Sequence, residues 1–196
     1  GIVVFSAISM MQCPLTLDYG AVIDFMKNVE IGMTQTDGTA IGNAISTCVN
    51  RLKDSNAKSK VVILLTDGRN NMGQIDPATA SKLADTFDIK IYAIGVGAIG
   101  SAPYPVDDPI FGKRYVYMKE DLDEGTLREI SIATGGEYFR ATSSDALKDI
   151  YKKIDKMEKT EIKVTEYTDY TELYIYLLVP AILLLLAEIG LKNTVL

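Results

Sequence analysis

Histidine is absent from all 196 residues, and that absence governs what the remaining polar side chains can do. Without imidazole there is no Ser-His-Asp or Cys-His nucleophile, no His-ligated zinc and no imidazole acid–base step. The two cysteines, Cys13 and Cys48, are too few for a thiolate zinc site. Cys48 falls on an apolar helical stripe and Cys13 precedes Pro14, so both read as inert small hydrophobes. Oxygen chemistry is what remains, and two short segments carry it. Asp37-Gly38-Thr39-Ala40-Ile41-Gly42 leads into a helical pattern, and Thr66-Asp67-Gly68 follows the apolar run Val61–Leu65. A carboxylate at the C-terminal end of a buried parallel strand lies where open α/β sheets bind ligands. Asp67 reads equally as the cap of a turn whose φ > 0 position is Gly68 and as a ligand for a hard cation. Thr39 reads as a helix N-cap or as a hydroxyl facing the same crevice. One hydroxyl and one carboxylate are too few for the octahedral oxygen shell of Mg²⁺. A nucleophilic Thr or Ser has no histidine to activate it.

Gly95-Val96-Gly97-Ala98-Ile99-Gly100 matches GxGxxG. A dinucleotide site also needs a helix to open there, so that its N-terminus holds the pyrophosphate. Pro103, Pro105 and Pro109 forbid that helix, and the segment reads as a turn. An excess of 26 acidic over 20 basic residues, net charge −6, argues against nucleic acid, which is met by a basic face. Lys152, Lys153 and Lys156 read as a solvated helix face.

These residues need elements to hold them. Val61–Leu65, Ile89–Val96 and Glu137–Ala141 are short, largely continuous apolar runs, the pattern of parallel strands covered on both faces. Between them the apolar residues keep helical spacing. Ile41, Ala44, Ile45, Cys48, Val49 and Leu52 form one stripe. Leu83, Ala84 and Phe87 form another, after Asp76 as cap and Pro77 in the first turn. Leu127, Ile130 and Ala133 make a third, ended by Gly135-Gly136. Ala146, Leu147, Ile150, Tyr151 and Ile154 make a fourth, capped by Ser143 or Ser144. The expected fold is α/β: a doubly wound, mostly parallel, Rossmann-like sheet flanked by helices. Residues 98–121 break the rhythm and are expected to form an excursion with a small hairpin. Residues 158–172 are polar and alternating and are expected to be a strand or linker. Residues 173–191 are almost uniformly apolar, interrupted by Glu188, with Tyr174 and Tyr176 at one edge. That length and patterning predict a transmembrane helix. Lys156, Lys159 and Lys163 precede the span and Lys192 follows it, which places the preceding domain in the cytoplasm by the positive-inside rule. The chain opens on Gly1 and the apolar run Ile2–Phe5, read as a strand already under way with sequence expected upstream.

Together VVFS at 3–6, DGT at 37–39, VVILLTDG at 61–68 and IYAIGVG at 91–97 resemble a von Willebrand factor A (VWA) domain. In that family a metal-ion-dependent adhesion site (MIDAS) is built from a DxSxS loop after the first strand, a Thr in a second loop and an Asp after a later strand. Thr39 matches the Thr and Asp67 the Asp. DxSxS is absent, and the resemblance places it, with the first strand, before Gly1. QCPLTLD at 12–18, DGTAIGNAI at 37–45, RLKDSNAKSKVVILLTDGRNN at 51–71, APYPV at 102–106 and TGGEYFRAT at 134–142 resemble the Bat-type (aerotolerance) proteins of the bacterial inner membrane. The resemblance implies a VWA domain over 1–157, incomplete at its N-terminus, followed by the 158–172 connection and the 173–191 anchor. It implies Mg²⁺ or another divalent cation, a partner protein offering a carboxylate, other Bat-type membrane proteins and a MoxR-type AAA+ ATPase as companions, and a role in envelope stress tolerance or complex assembly. The expected function is that of an interaction module and not an enzyme. A metal-dependent hydrolase and a structural VWA domain with an inactive metal site are the competing readings.

Overall fold

The computed structural model describes residues 1–97 and 122–159 in full, with Gly112. It gives the backbone of 101–108, 113–119 and 160–165 and, near the C-terminus, residues 176, 178–182, 184–185 and 188–189. The elements run β1 (Ile2–Phe5), β2 (Ser9–Cys13), α1 (Tyr19–Lys27), α2 (Ile41–Leu52), β3 (Lys60–Thr66), α3 (Pro77–Thr86), β4 (Ile89–Val96), β5 (Ser101–Asp108), β6 (Gly112–Lys119), α4 (Glu124–Ala133), β7 (Tyr138–Ala141) and α5 (Ser144–Thr165). Two compact units result, Gly1–Lys159 and Thr160–Leu196.

The parallel sheet of the first unit has the order β3-β4-β7. Its central strand shows why the run Ile89–Val96 is apolar on both faces apart from Lys90 at its start. Alternate residues of a strand face opposite sides. Ile89, Ile91 and Ala93 enter one core with Ile41, Ile45 and Val49 of α2. Tyr92 and Ile94 enter a second core with Phe139 and with Ile154 of α5. The helices α2, α3 and α4 contribute to the first core and α5 to the second, so the sheet is flanked by helices as the sequence predicts.

Local caps explain where the helices start. Asp76 accepts from Thr79 N with Pro77 in the first turn of α3, and Asp123 does the same for Thr126 N at α4. Ser143 Oγ, rather than Ser144, accepts from Ala146 N at α5. Gly135 ends α4 at φ +69, the left-handed conformation a Cβ disfavours.

Three departures from the sequence reading stand out. The strand Ile2–Phe5 pairs antiparallel with an unforeseen β2, whose residues Ser9-Met10-Met11-Gln12-Cys13 lack β-branching and so carry no strand signal. Next comes α1, also unforeseen, a helix with no buried residue. Of residues 158–172, expected as strand or linker, 166–172 lie outside the described residues, and 158–165 continue α5 to Thr165. Their polar alternation is overridden by propagation from the preceding turns, with Lys159 reaching back to Asp155 at 2.7 Å. The excursion at 98–121 does contain the expected hairpin, β5 against β6, although 98–100, 109–111, 120 and 121 lie outside the described residues. Of the expected span at 173–191, residues 173–175, 177, 183, 186–187 and 190–191 lie outside them too. Among the described residues no helix is long and apolar enough to cross a membrane.

β1 and β3 are not hydrogen-bonded to each other, and a seam runs between them. Ile2 and Val3 share one cavity of about 410 Å³ with Val61 and Val62. Val3 and Phe5 share a second, of about 110 Å³, with Leu64 and Leu65. Rising numbers on one side meet rising numbers on the other, so β1 and β3 run in the same direction. Cys48, on α2, lines both cavities.

Candidate metal centre

Both strands bordering the seam end at the same place. Beyond β1, the Ser6 carbonyl accepts from Ala40 N at 2.7 Å. Beyond β3, Thr66 Oγ1 accepts from Gly68 N at 3.3 Å, a local turn that leaves Asp67 at its exposed tip. Thr39 Oγ1 lies 3.0 Å from where a Cβ on Gly68 would sit. Thr39 and the turn that carries Asp67, 28 positions apart in the sequence (67 − 39 = 28), are therefore close in space.

Their local roles differ from the simple alternatives. Gly68 is not in a positive-φ conformation, so it does not serve a left-handed turn. A Cβ at this position would press on the Thr39 hydroxyl, 3.0 Å away. Nor does Thr39 cap α2. Ala40 holds the N-cap position and makes no side-chain cap bond. Asn70 supplies the cap from the other loop, its Oδ1 accepting from Ile41 N at 2.7 Å.

The carboxamides after Asp67 are the residues that sequence reasoning missed. Asn71 Oδ1 accepts from Thr39 N at 2.8 Å, and Asn71 N donates to the Thr39 carbonyl at 3.0 Å, so one residue holds both backbone groups of Thr39. Asn43 Oδ1 receives Gln74 N and Ile75 N at 3.2 and 3.1 Å. At Gly42 an added Cβ would fall 1.9 Å from the Ile75 carbonyl oxygen, so helix and loop touch backbone to backbone. A signal was present: the Asn70-Asn71 pair in the loop after Asp67, whose carboxamides are able to cap a helix. Thr39 and Asp67 thus sit on two loops locked into one rigid crest.

Beside this crest, Arg140 ties the end of β4 to α4. Its Nη1 meets Glu124 Oε1 at 2.9 Å, and its Nε and Nη2 each donate to the Gly97 carbonyl at 3.3 Å. Gly97 N in turn donates to the Ala141 carbonyl at 3.1 Å. The residue where the chain leaves the sheet toward the hairpin is held from both sides.

The two cysteines fit the inert reading. Cys13 is buried, and Cys48 is a free thiol that burial pushes up to about 11. At the opposite end of the sheet, Glu158 of α5 accepts from Tyr92 Oη at 2.7 Å, from Ser59 Oγ at 2.8 Å and from Lys90 Nζ at 3.3 Å. Burial alone would raise its carboxyl. The hydrogen bonds from Tyr92, Ser59 and Lys90 outweigh that and hold it below the ordinary value.

A divalent cation suits the donor types here, a hydroxyl and a carboxylate being hard oxygen ligands. Two donors do not complete a shell, and no group of three or more Asp, Glu, Cys or His able to hold a metal occurs among the described residues.

Comparison with known proteins agrees with this architecture. Residues 1–153 match the model of the von Willebrand factor type A domain family. An uncharacterised protein of Borreliella burgdorferi is 29% identical over 191 residues, 95% of this chain and 54% of its own. The chain therefore spans about half the length of the curated relative it matches. Among solved structures, BatB of Bacteroides thetaiotaomicron, a conserved hypothetical protein, is 29% identical, with 80% of this chain and 78% of that chain covered at a TM-score of 0.64. An aerotolerance-related membrane protein of Bacteroides fragilis is 26% identical, with 79% and 77% covered at 0.62. The mussel byssus proximal thread matrix protein 1, with a zinc-occupied MIDAS motif, is 25% identical, with 80% and 33% covered at 0.59. The chain belongs to the von Willebrand factor type A domain family, a family of protein-interaction modules, and it fits the Bat-type members of that family.

Proposed function

We propose that this chain is a membrane-anchored interaction module that grips partner proteins through a divalent cation at its crest. Thr39 would hold the cation by its hydroxyl and Asp67 by its carboxylate. The cation supplies a bridge: one open coordination position that a carboxylate of the partner fills. The observation that carries the reading is the contact of Thr39 with the Gly68 turn, near the ends of β1 and β3 on either side of the seam. The seam between those strands supports it further. A strand laid there, parallel to both, would end beside Thr39 and Asp67 and could bring the missing ligands. The zinc-occupied MIDAS motif of the mussel protein lends support by likeness. Oxygen donors favour Mg²⁺ over softer metals at the site proposed here.

The partner we propose is a MoxR-type AAA+ ATPase, with other Bat-type membrane proteins alongside, in aerotolerance or complex assembly. BatB and the aerotolerance-related membrane protein support this by likeness. We further propose that residues 173–191 anchor the chain in the bacterial inner membrane with the domain in the cytoplasm.

Two measurements test these readings on the whole protein. Asp67→Ala is expected to abolish both Mg²⁺ binding in calorimetry and partner capture. Unchanged binding and capture would refute the adhesion site. Loss of metal without loss of capture would leave a structural domain with an idle metal site. For orientation, Ser144 is exposed. Labelling of Ser144→Cys by an impermeant thiol reagent in intact spheroplasts would overturn the cytoplasmic placement.

A further inference from the structure

The hairpin that leaves the sheet after Gly97 has two outer edges of unequal chemistry. β5 and β6 pair in the register Ser101↔Lys119 to Asp108↔Gly112, and among the described residues no third strand joins them. In an antiparallel ladder, alternate residues turn both N–H and C=O toward the partner strand, and those between turn them outward. Proline has no N–H to give. Pro103 and Pro105 therefore take outward positions, and the ladder bonds run through Ala102↔Met118, Tyr104↔Val116 and Val106↔Arg114. Two consequences follow. The outer edge of β5 lacks a donor at two successive outward positions, which guards it against pairing. The outer edge of β6 keeps its donors, at Lys113, Tyr115, Tyr117 and Lys119.

We infer that β6 is a docking edge that takes an extended, acidic segment of a partner protein as a third strand. Charge selects the occupant. Residues 112–119 contain Lys113, Arg114 and Lys119 and no acidic residue, in a chain of net charge −6. Asp107, the register partner of Lys113, belongs to β5, one strand further from the outer edge of β6. A second copy of the same edge would set like charges opposite one another, which destabilises strand pairing. An acidic strand would instead be drawn to this edge, and main-chain hydrogen bonds would hold it. The inference is independent of the cation reading, because it needs neither Thr39 nor Asp67.

The test uses the whole chain and two synthetic extended peptides of equal length, one alternating valine with glutamate and the other valine with lysine, followed by fluorescence anisotropy. The glutamate peptide is expected to bind, more weakly as salt is raised, and the lysine peptide is not. Tyr117→Pro removes one outward donor opposite Pro103 and leaves the bonded pairs in place. It is expected to lower the affinity roughly tenfold. Because a new proline can distort the ribbon, a second variant keeps the backbone donors: Lys113→Glu with Lys119→Glu is expected to reverse the preference to the lysine peptide. Asp67→Ala is expected to leave peptide binding unchanged. Equal binding of both peptides, or no response to either β6 variant, would overturn the inference. Loss of binding in Asp67→Ala would also overturn it, by moving the carboxylate contact to the crest.

Discussion

Asn70→Ala isolates how the crest is held together. In the folded chain Asn70 Oδ1 lies 2.7 Å from Ile41 N, the first amide of α2. Ala40, at the N-cap, offers no oxygen of its own and is fully buried, with its Cβ 3.0 Å from a Cβ placed on Gly73. Truncating Asn70 therefore strands an amide that no neighbouring cap can take over. Loss of a helix cap costs about 1 kcal/mol, within a range of roughly 0.5–2, and a partly buried donor left unpaired belongs in the upper half of that range. In a domain of this size, 1 kcal/mol corresponds to a Tm lower by roughly 2–4 °C. Asn70→Asp retains the acceptor and adds a negative charge at the N-terminus of α2, which the helix dipole favours. It should match or exceed the parent. The assay is thermal and urea unfolding by circular dichroism, with amide hydrogen exchange at Ile41 as the local readout. Exchange at Ile41 should rise in Asn70→Ala and not in Asn70→Asp. Equal destabilisation by both substitutions would sink the reasoning, because it would show that the carboxamide NH₂ or the packing of Asn70, and not its acceptor oxygen, holds the helix.

Other outcomes are open to equally direct measurement. Gly42→Ala should destabilise by roughly 1–3 kcal/mol or more, although alanine favours a helix by about 1 kcal/mol. The new Cβ meets the backbone oxygen of Ile75 at 1.9 Å, so a variant as stable as the parent in urea unfolding would contradict the packing. At pH 8 the native chain should resist dithionitrobenzoate at both cysteines and react fully once denatured, since Cys13 is buried and the Cys48 thiol is held up to about 11. Rapid native labelling of Cys48 would refute that. Glu158 has its carboxyl held below the ordinary 4.5, so its ionised form contributes stability above that pH and the contribution is lost as pH falls through the lower folded value. The stability gap between the parent and Glu158→Gln should accordingly be full at pH 6–7 and close on acidification. A gap that widens toward acid would reverse the assignment.

Much of the parallel sheet was legible because burial on both faces writes itself into composition: Val61–Leu65 is apolar without interruption and Ile89–Val96 is broken only by Lys90 among charged residues. Helix periodicity was equally plain, as was the Asp76-Pro77 start of α3. Legibility failed where an element draws its support from elsewhere. β2 is held by β1 and not by its own residue types, and α1 has no buried face to mark it. The last turns of α5 obey the helix before them rather than their own alternation. At the crest, Thr39 and Asp67 were visible as residue types in suggestive places. Asn70, Asn71 and Asn43 were not, because a carboxamide's partner is set by which loop lies beside it.

Sequence alone settled the chemistry available to this protein. With no histidine and two inert thiols, imidazole and thiolate chemistry are unavailable and any metal must be held by hard oxygen donors, and composition needs no coordinates to say so. It also settled the α/β class, through period and burial. Folding added the meetings between distant segments. Thr39 reaches the Asp67 turn because α2 and β3 pack into one core. What a side chain at Gly68 would meet, the Thr39 hydroxyl, is set by that packing and not by a positive φ. The seam between β1 and β3 likewise appears only when both strands are placed in space. Contacts of this kind depend on long-range packing, which a local pattern of residues does not encode.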